Sequence, residues 1–322
     1  MSLMTWVRER LERPAVAVGG VALLTIGIFA AVVGWAFFGG AGDPSYRPEV
    51  ADSAPAAEPV YLVGPHPLHN PQHLFDIYQP ILDYLNARIT GARLELEASR
   101  NYAVYDEKLL KESKFPFAMP NPLQMVQATG AGYRIFGKLS DEDPSRGLIV
   151  VRTDSGIREI SDLKGKAVSY PAPTALFATM MPQYYLQTHG LDVRTDITNL
   201  YVGSQESSIM AVFLGTSAAG ATWPGPWKLF VKAHPDYAKM LEVRWQTPSL
   251  PNNGWVVRDD VPPELARRFA ELLFSLPESE EGRALMARVG VARFEPADDA
   301  TYRPVREFLK RYRETIGEVP EK

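Results

Sequence analysis

The sequence predicts an α/β protein carried behind one N-terminal membrane helix, and three observations predict it. Residues 15–38 are an uninterrupted charge-free run of 24 residues in which Thr25 is the only clearly polar side chain. From Pro59 onward, short apolar strands alternate with amphipathic helices and no internal repeat is evident, the pattern of an α/β architecture with largely parallel sheets. Five helix starts then follow closely on strand ends, each introduced by a polar capping residue.

The apolar run comes first in the chain. At ~1.5 Å per helical residue it reaches roughly 36 Å, enough to cross a hydrocarbon core of about 30 Å. Arg8, Arg10 and Arg13 precede it and Asp43 is the first charge after it. The positive-inside rule therefore keeps a tail, residues 1–14, in the cytoplasm and exports residues 39–322. A cleaved signal peptide has an apolar core of only about 7 to 15 residues, so this run reads as an uncleaved anchor. The chain has no Cys, which removes disulfides, thiolate metal sites and a lipid-modified N-terminal Cys together. Residues 39–58, rich in Gly, Pro, Ala and Ser, read as a solvated linker.

From Pro59 the chain holds 30 basic against 32 acidic residues, a net charge of −2. No basic run suggests nucleic acid, and a nearly neutral surface leaves any charged ligand to be caught by local geometry. Strands are expected at 60–63, 94–96, 115–119, 148–151, 167–170, 199–202 and 218–222. After the first, Leu74, Ile77, Tyr78, Ile81, Leu82 and Leu85 repeat with helical spacing and mark one buried face. Pro80 inside that pattern is expected to kink the helix or mark its start. Asn70-Pro71 and Asn121-Pro122 each place a capping residue before a proline suited to the first helical position. Ser99 to Asn101 before Tyr102, Thr174 before Ala175, and Ser204 before Gln205 repeat the signal. In open α/β sheets ligands bind at this strand edge, and the exposed N–H groups of helix starts suit an oxyanion. Capped helices are also what any α/β domain carries, so the caps alone give only a modest indication.

Taken in order, several segments resemble solute-binding proteins of ABC importers for phosphate, phosphite and phosphonates. They are Gly64-Pro65-His66-Pro67-Leu68-His69-Asn70-Pro71, Ser99-Arg100-Asn101-Tyr102, Asn121-Pro122-Leu123-Gln124, Asp162-Leu163-Lys164-Gly165-Lys166, Gly203-Ser204-Gln205-Glu206-Ser207 and Thr222-Trp223-Pro224. The resemblance covers most of residues 59–260. It implies a two-lobed type II periplasmic-binding-protein fold, with residues 59–150 and 247–322 in one lobe and 151–246 in the other, closing on a ligand in the cleft. It also implies ligand contacts from His66, His69, Asn70, Ser99, Tyr102, Asn121, Gln124, Thr174, Ala175, Ser204, Gln205, Glu206, Ser207, Thr222 and Trp223.

The sequence departs from that family at three places. The hydroxyl cluster expected where Pro173-Thr174-Ala175-Leu176-Phe177-Ala178 stands is reduced to Thr174. Met125 and Gln205 stand where the family tends to carry Tyr and His. The pocket is therefore expected to hold something less polar than phosphate, or nothing.

Each candidate has a plainer reading. Tyr102 donates to an anion oxygen or packs on the lobe surface. Glu206 accepts from a protonated oxyanion or is simply an acid in a first helical turn. Trp223 and Trp227 wall the cleft or fill a core gap. His66, His69 and His73 lie close in sequence, but a helix starting at Pro71 divides them, so no metal site is expected. Ser161 and Lys164 fit a Ser-x-x-Lys nucleophile pattern only incidentally, and no triad accompanies them, so no enzyme and no cofactor is expected. The expected function is a solute-binding protein tethered to the inner membrane, its soluble part in the periplasm or outside the cell. It captures a small oxyanion-bearing molecule for an ABC permease. The alternative is a sensing, assembly or accessory subunit that docks to another inner-membrane protein without transport.

Overall fold

The computed structural model describes residues 58–140 and 144–318. The expected cytoplasmic tail, membrane helix and linker up to residue 57 lie outside the described residues. Among the described residues no helix is long and apolar enough to cross a membrane.

From β1 (Val60–Pro65) the chain enters α1 (Pro71–Asn86), returns as β2 (Arg93–Leu96) and passes through α2 (Tyr102–Asp106) and a π-helical extension to β3 (Phe117–Met119). It continues through α3 (Pro122–Thr129) to β4 (Tyr133–Leu139). A second sheet follows, with β5 (Arg146–Arg152), β6 (Ala167–Tyr170), a π-helical segment (Leu176–Met180) running into α4 (Met181–Thr188), and β7 (Thr198–Tyr201). Next come α5 (Gln205–Phe213), β8 (Ala219–Thr222), α6 (Pro224–Ala233), the single turn α7 (Pro235–Ala238) and β9 (Leu241–Ser249). The chain then crosses back to β10 (Gly254–Arg258) and ends with α8 (Pro263–Ser275), α9 (Glu280–Val289), β11 (Phe294–Pro296) and α10 (Arg303–Thr315). The second sheet thus runs from Arg146 to Ser249, against expected lobe bounds of 151 and 246.

The first sheet has the order β11-β4-β10-β3-β1-β2 and the second β7-β6-β8-β5-β9. Within them β1 runs parallel to β2 and β3, and β6 parallel to β7 and β8. The remaining pairs, β10 with β3 and β4, β11 with β4, and β5 with β8 and β9, are antiparallel. The expectation of largely parallel sheets is corrected to mixed ones. Parallel neighbours need a crossover helix between them, and only the strands nearest the helix starts have one. β10 instead enters between β3 and β4 from the far sheet and runs against both.

Local chemistry sets the helix starts. The Asn70 side chain accepts from the His73 N–H with Pro71 in the first turn, and Leu74, Ile77, Tyr78, Ile81, Leu82 and Leu85 are buried. Pro80 lies inside this helix and does not begin it. Asn101 accepts from Val104 N, and Ser204 from Ser207 N. Asn121 and Gln124 close a reciprocal capping box. Thr174 caps nothing. The turn there is closed by the backbone, Ala175 N donating to Ala172 O, and by Thr179 Oγ1 donating to the same oxygen, so the helix begins as a π segment without a side-chain cap. Gly203, with φ of 88°, makes the left-handed turn that aims α5 at the strand edge. Gly220 lets α5 lie close on β8, since a Cβ there would stand 2.6 Å from Ser208 O.

Three of the apolar clusters among the described residues form the lobe cores and their junction. Phe117 stacks on Phe269 at 4.2 Å beneath the first sheet, with Trp255 edge-on to Phe269. Ile149, Val151, Leu163 and Val168 fill the core of the second sheet. A third cluster joins the lobes, with Phe115, Leu123 and Met125 on one side, Leu176, Phe177, Met180 and Met181 on the other, and Val305, Phe308 and Tyr312 of α10 against both. Tyr302, just before α10, donates its hydroxyl to Asn252 O at 2.7 Å, in the return crossing. At the far end the Tyr312 hydroxyl donates to Gln183 Oε1 of α4 at 3.1 Å.

Candidate functional site

Residues that follow the C-terminal ends of β1, β2, β3, β6, β7 and β8 meet around one cavity between the sheets. His66 and Leu68 come from the loop after β1, Tyr102 from the start of α2 and Asn121 from the cap of α3. The facing side supplies the segment from Ala175 to Ala178, Gln205 at the start of α5 and Trp223 after β8, while Asn253 of the return crossing closes one edge. The cavity measures about 10 Å³. That is room for one water at most. The lobes are closed on each other and the space between them is filled by their own side chains.

His66 is 1 % exposed. Its ring stands edge-on to Tyr102 at 4.7 Å and to Tyr105 at 5.8 Å. The Gln124 side chain stands beside the ring, and Nδ1 has no partner. Burial pushes its pKa down to about 3, against a smaller upward pull from the neighbouring Gln124 side chain, so at neutral pH it is an uncharged imidazole. Gln124 is held from behind: its Nε2 donates to the Asp106 carboxylate and its Oε1 accepts from Asn121 N at 3.0 Å.

One hydrogen bond crosses the cleft, Asn121 Nδ2 donating to the Thr174 carbonyl at 3.3 Å, and the Gln205 side chain stands near enough to the Tyr102 hydroxyl to favour its ionised form slightly. Burial raises the Tyr102 pKa, which keeps the phenol neutral. Thr222, fully buried, donates to Gln205 Oε1 at 3.3 Å. The Trp223 ring lies 5.8 Å from that of Phe177. Among the described residues no Lys or Arg lines the cavity. An oxyanion there would be met by neutral donors and by the N-terminal turns of α3 and α5.

The candidate list therefore divides. His66, Tyr102, Asn121, Ala175, Gln205 and Trp223 line the cavity, with Gln124 and Thr222 bonded directly behind and Thr174 presenting its carbonyl. Asn70, Ser204 and Ser207 lie outside the lining, Asn70 and Ser204 capping their helices and the Ser204 hydroxyl donating to Ser207 Oγ. Ser99 is buried with an unpartnered hydroxyl, but outside the lining. Glu206 is exposed and pairs with His234 Nε2 at 3.2 Å, so it does not reach the cavity. His69 packs edge-on against His73 at 4.6 Å and faces a neighbouring groove instead. The sequence reading did not single out Leu68, Leu176, Phe177 or Asn253 as contacts. For Phe177 the signal was present in the run Ala175-Leu176-Phe177-Ala178, where hydroxyls were missing, but absence of hydroxyls does not say that the aromatic turns inward.

A family model described as "ABC transporter, phosphonate, periplasmic substrate-binding protein" matches residues 63–302. The chain belongs to this family. It is a family of substrate-binding proteins of ABC importers and not of enzymes. Solved structures agree on the fold. The binding-protein component of an ABC phosphonate transporter from Pseudomonas aeruginosa superposes with a TM-score of 0.72 at 19% identity, covering 80% of this chain and 88% of that one. A Prochlorococcus marinus protein in complex with methylphosphonate gives 0.70 at 17% identity, over 78% of this chain and 97% of that chain. A Xanthomonas citri protein bound to ATP gives 0.66 at 18% identity, over 80% and 99%. The two sheets described above are thus the two lobes of a type II periplasmic-binding fold, and the cavity lies in the cleft where that fold closes.

Proposed function

We propose that the chain is a membrane-tethered, extracytoplasmic substrate-binding protein that captures a small phosphate- or phosphonate-like molecule in this cleft and delivers it to an ABC permease. The observation that carries the reading is the cavity itself, where His66, Tyr102, Asn121 and Gln205 bring neutral polar groups from both lobes to two helix starts. Parting the lobes exchanges the Asn121–Thr174 bond for bonds to the ligand's oxygens and frees the Tyr102 hydroxyl from the neighbouring Gln205 to do the same. Closing then holds the anion by backbone and side-chain donors without a counter-cation.

The test is calorimetry of the protein with phosphate, phosphite, methylphosphonate, methylsulfonate and acetate. Binding of at least one phosphorus oxyanion is expected, and Tyr102→Phe is expected to weaken it by about 0.5 to 1.5 kcal/mol. The alternative is a non-transporting subunit that docks to a membrane partner. Under that alternative none of these anions binds.

The tether rests on the run at residues 15–38 and the three arginines before it. Mass spectrometry of the membrane fraction is expected to find the chain with its N-terminal segment intact. A mature N-terminus after residue 38 refutes the anchor.

A further inference from the structure

This inference rests on the reading above and concerns what keeps the cleft filled. The cavity lining includes the consecutive residues Ala175 to Ala178, at the start of one helical rod. That rod runs as the π segment Leu176–Met180 and continues as α4 from Met181 to Thr188. Ala175 O accepts from Thr179 N at 2.8 Å and from Met180 N at 3.2 Å, four and five residues on. Met181 N then donates to Leu176 O, again across five residues. The wide register thus opens on a shared carbonyl and closes one residue before a proline.

Pro182 accounts for where it closes. It has no N–H, and in an unbroken α-helix its ring would collide with the carbonyl four residues back, that of Ala178. Widening the preceding turn by one residue moves that carbonyl aside, an insertion of the kind that recurs at functional sites. β5 leaves room for it. A Cβ at Gly147 would stand 2.8 Å from Phe177 O and 2.8 Å from Pro182 Cδ, so the bare glycine lets the widened turn rest on the strand. One residue of register is about 100° of rotation about a helix axis. That rotation decides which side chain meets the other lobe. In the wide register Phe177 does, packed in the cluster of Phe115, Leu123 and Met125 and with its ring 5.8 Å from that of Trp223.

We propose that Pro182 is a positioning residue of the cleft: it holds residues 176–180 in the wide register that keeps Phe177 between the lobes, and so sets how much room a ligand finds. Pro182 does not line the cavity, so it acts through Phe177.

The experiment uses full-length protein in lipid nanodiscs. With para-fluorophenylalanine in place of Phe177 and no ligand, fluorine NMR is expected to show a signal shielded from a water-soluble paramagnetic agent in the parent. In Pro182→Ala, whose restored N–H lets the rod run on in the α register, the agent should broaden it. Calorimetry with methylphosphonate and inorganic phosphate then compares the parent, Pro182→Ala, Phe177→Ala and the double variant. Methylphosphonate affinity is expected to rise on the order of tenfold in Pro182→Ala, and to rise no further when that change is added to Phe177→Ala. General loosening of the fold would add to Phe177→Ala instead. A fluorine that stays shielded in Pro182→Ala, an unchanged affinity, or a gain that adds in full to that of Phe177→Ala overturns the proposal while leaving the oxyanion reading in place. Failure of the parent and every variant to bind either anion overturns that reading, and the fluorine signal then decides the proposal, exposure in Pro182→Ala upholding it and shielding overturning it.

Discussion

Phe177→Ala is expected to lower the unfolding free energy by about 3 kcal/mol and, in the same protein, to tighten binding of methylphosphonate. The ring is 4 % exposed and sits in the cluster that joins Phe115, Leu123 and Met125 of one lobe to Leu176 and Met180 of the other. Truncating a buried Phe removes its transfer energy and leaves a cavity, which costs about 3 to 5 kcal/mol where the site cannot collapse. The low end applies because this cluster borders a cleft that water can enter. Binding moves the other way. A ligand that enters must first undo contacts between Phe177 and the opposite lobe, and each 1.4 kcal/mol of such packing removed beforehand is worth about tenfold in affinity. Urea unfolding and calorimetry on the variant measure the two effects. Lost stability with unchanged affinity would make Phe177 scaffold only, and unchanged stability would mean that the lobes do not meet through it in solution.

Stability is expected to fall by at least about 2 kcal/mol between pH 7 and pH 5. The folded chain keeps His66 neutral down to about pH 3, whereas the unfolded chain protonates it near its ordinary value of 6.5. Between those values the unfolded state binds more protons. The contribution of the buried neutral ring is therefore complete above 6.5 and is lost as pH falls toward 3. For one such group the loss from pH 7 to pH 5 is about 2 kcal/mol. His69, lowered to about 4 by burial and the neighbouring His73, acts in the same direction. Urea midpoints at the two pH values, compared with His66→Gln, check this. The variant should lose a large part of the difference, and a variant with the parent's full pH dependence would show that His66 is not the group responsible.

What could be read from the chain was what local chemistry decides. Asn70, Asn121 and Ser204 cap helices because a side-chain oxygen and an N–H two or three residues on are neighbours in any fold. Strand β6 appeared where Ala167 to Tyr170 promised it. Four strands, β4, β9, β10 and β11, were not anticipated. In β9 the residues Glu242, Arg244 and Gln246 interrupt the apolar signal, because the strand lies at a sheet edge with one face toward water. β10 and β11 find their partners far along the sequence, in antiparallel pairs that no helix announces. At the site, the residues around the cavity were largely legible, since each follows a strand end. Its contents were not. That Phe177 fills the cleft depends on how far two lobes close, and that Glu206 turns to His234 depends on a helix 28 residues further on.

The last helix bears on how the cleft opens. Beside the two backbone crossings, α10 joins the lobes a third time through Tyr312 and Gln183, and with Phe308 edge-on to Tyr184 at 5.4 Å. Pulling the lobes straight apart would strand a buried hydroxyl and a buried amide, at about 1 to 3 kcal/mol each. Turning them about a line through α10 leaves both satisfied. The helix lines neither the cavity nor the groove, so an opening that turned about it as an axle, like a book along one edge, would keep these contacts while parting the lip formed by Trp223, Pro224 and Pro226.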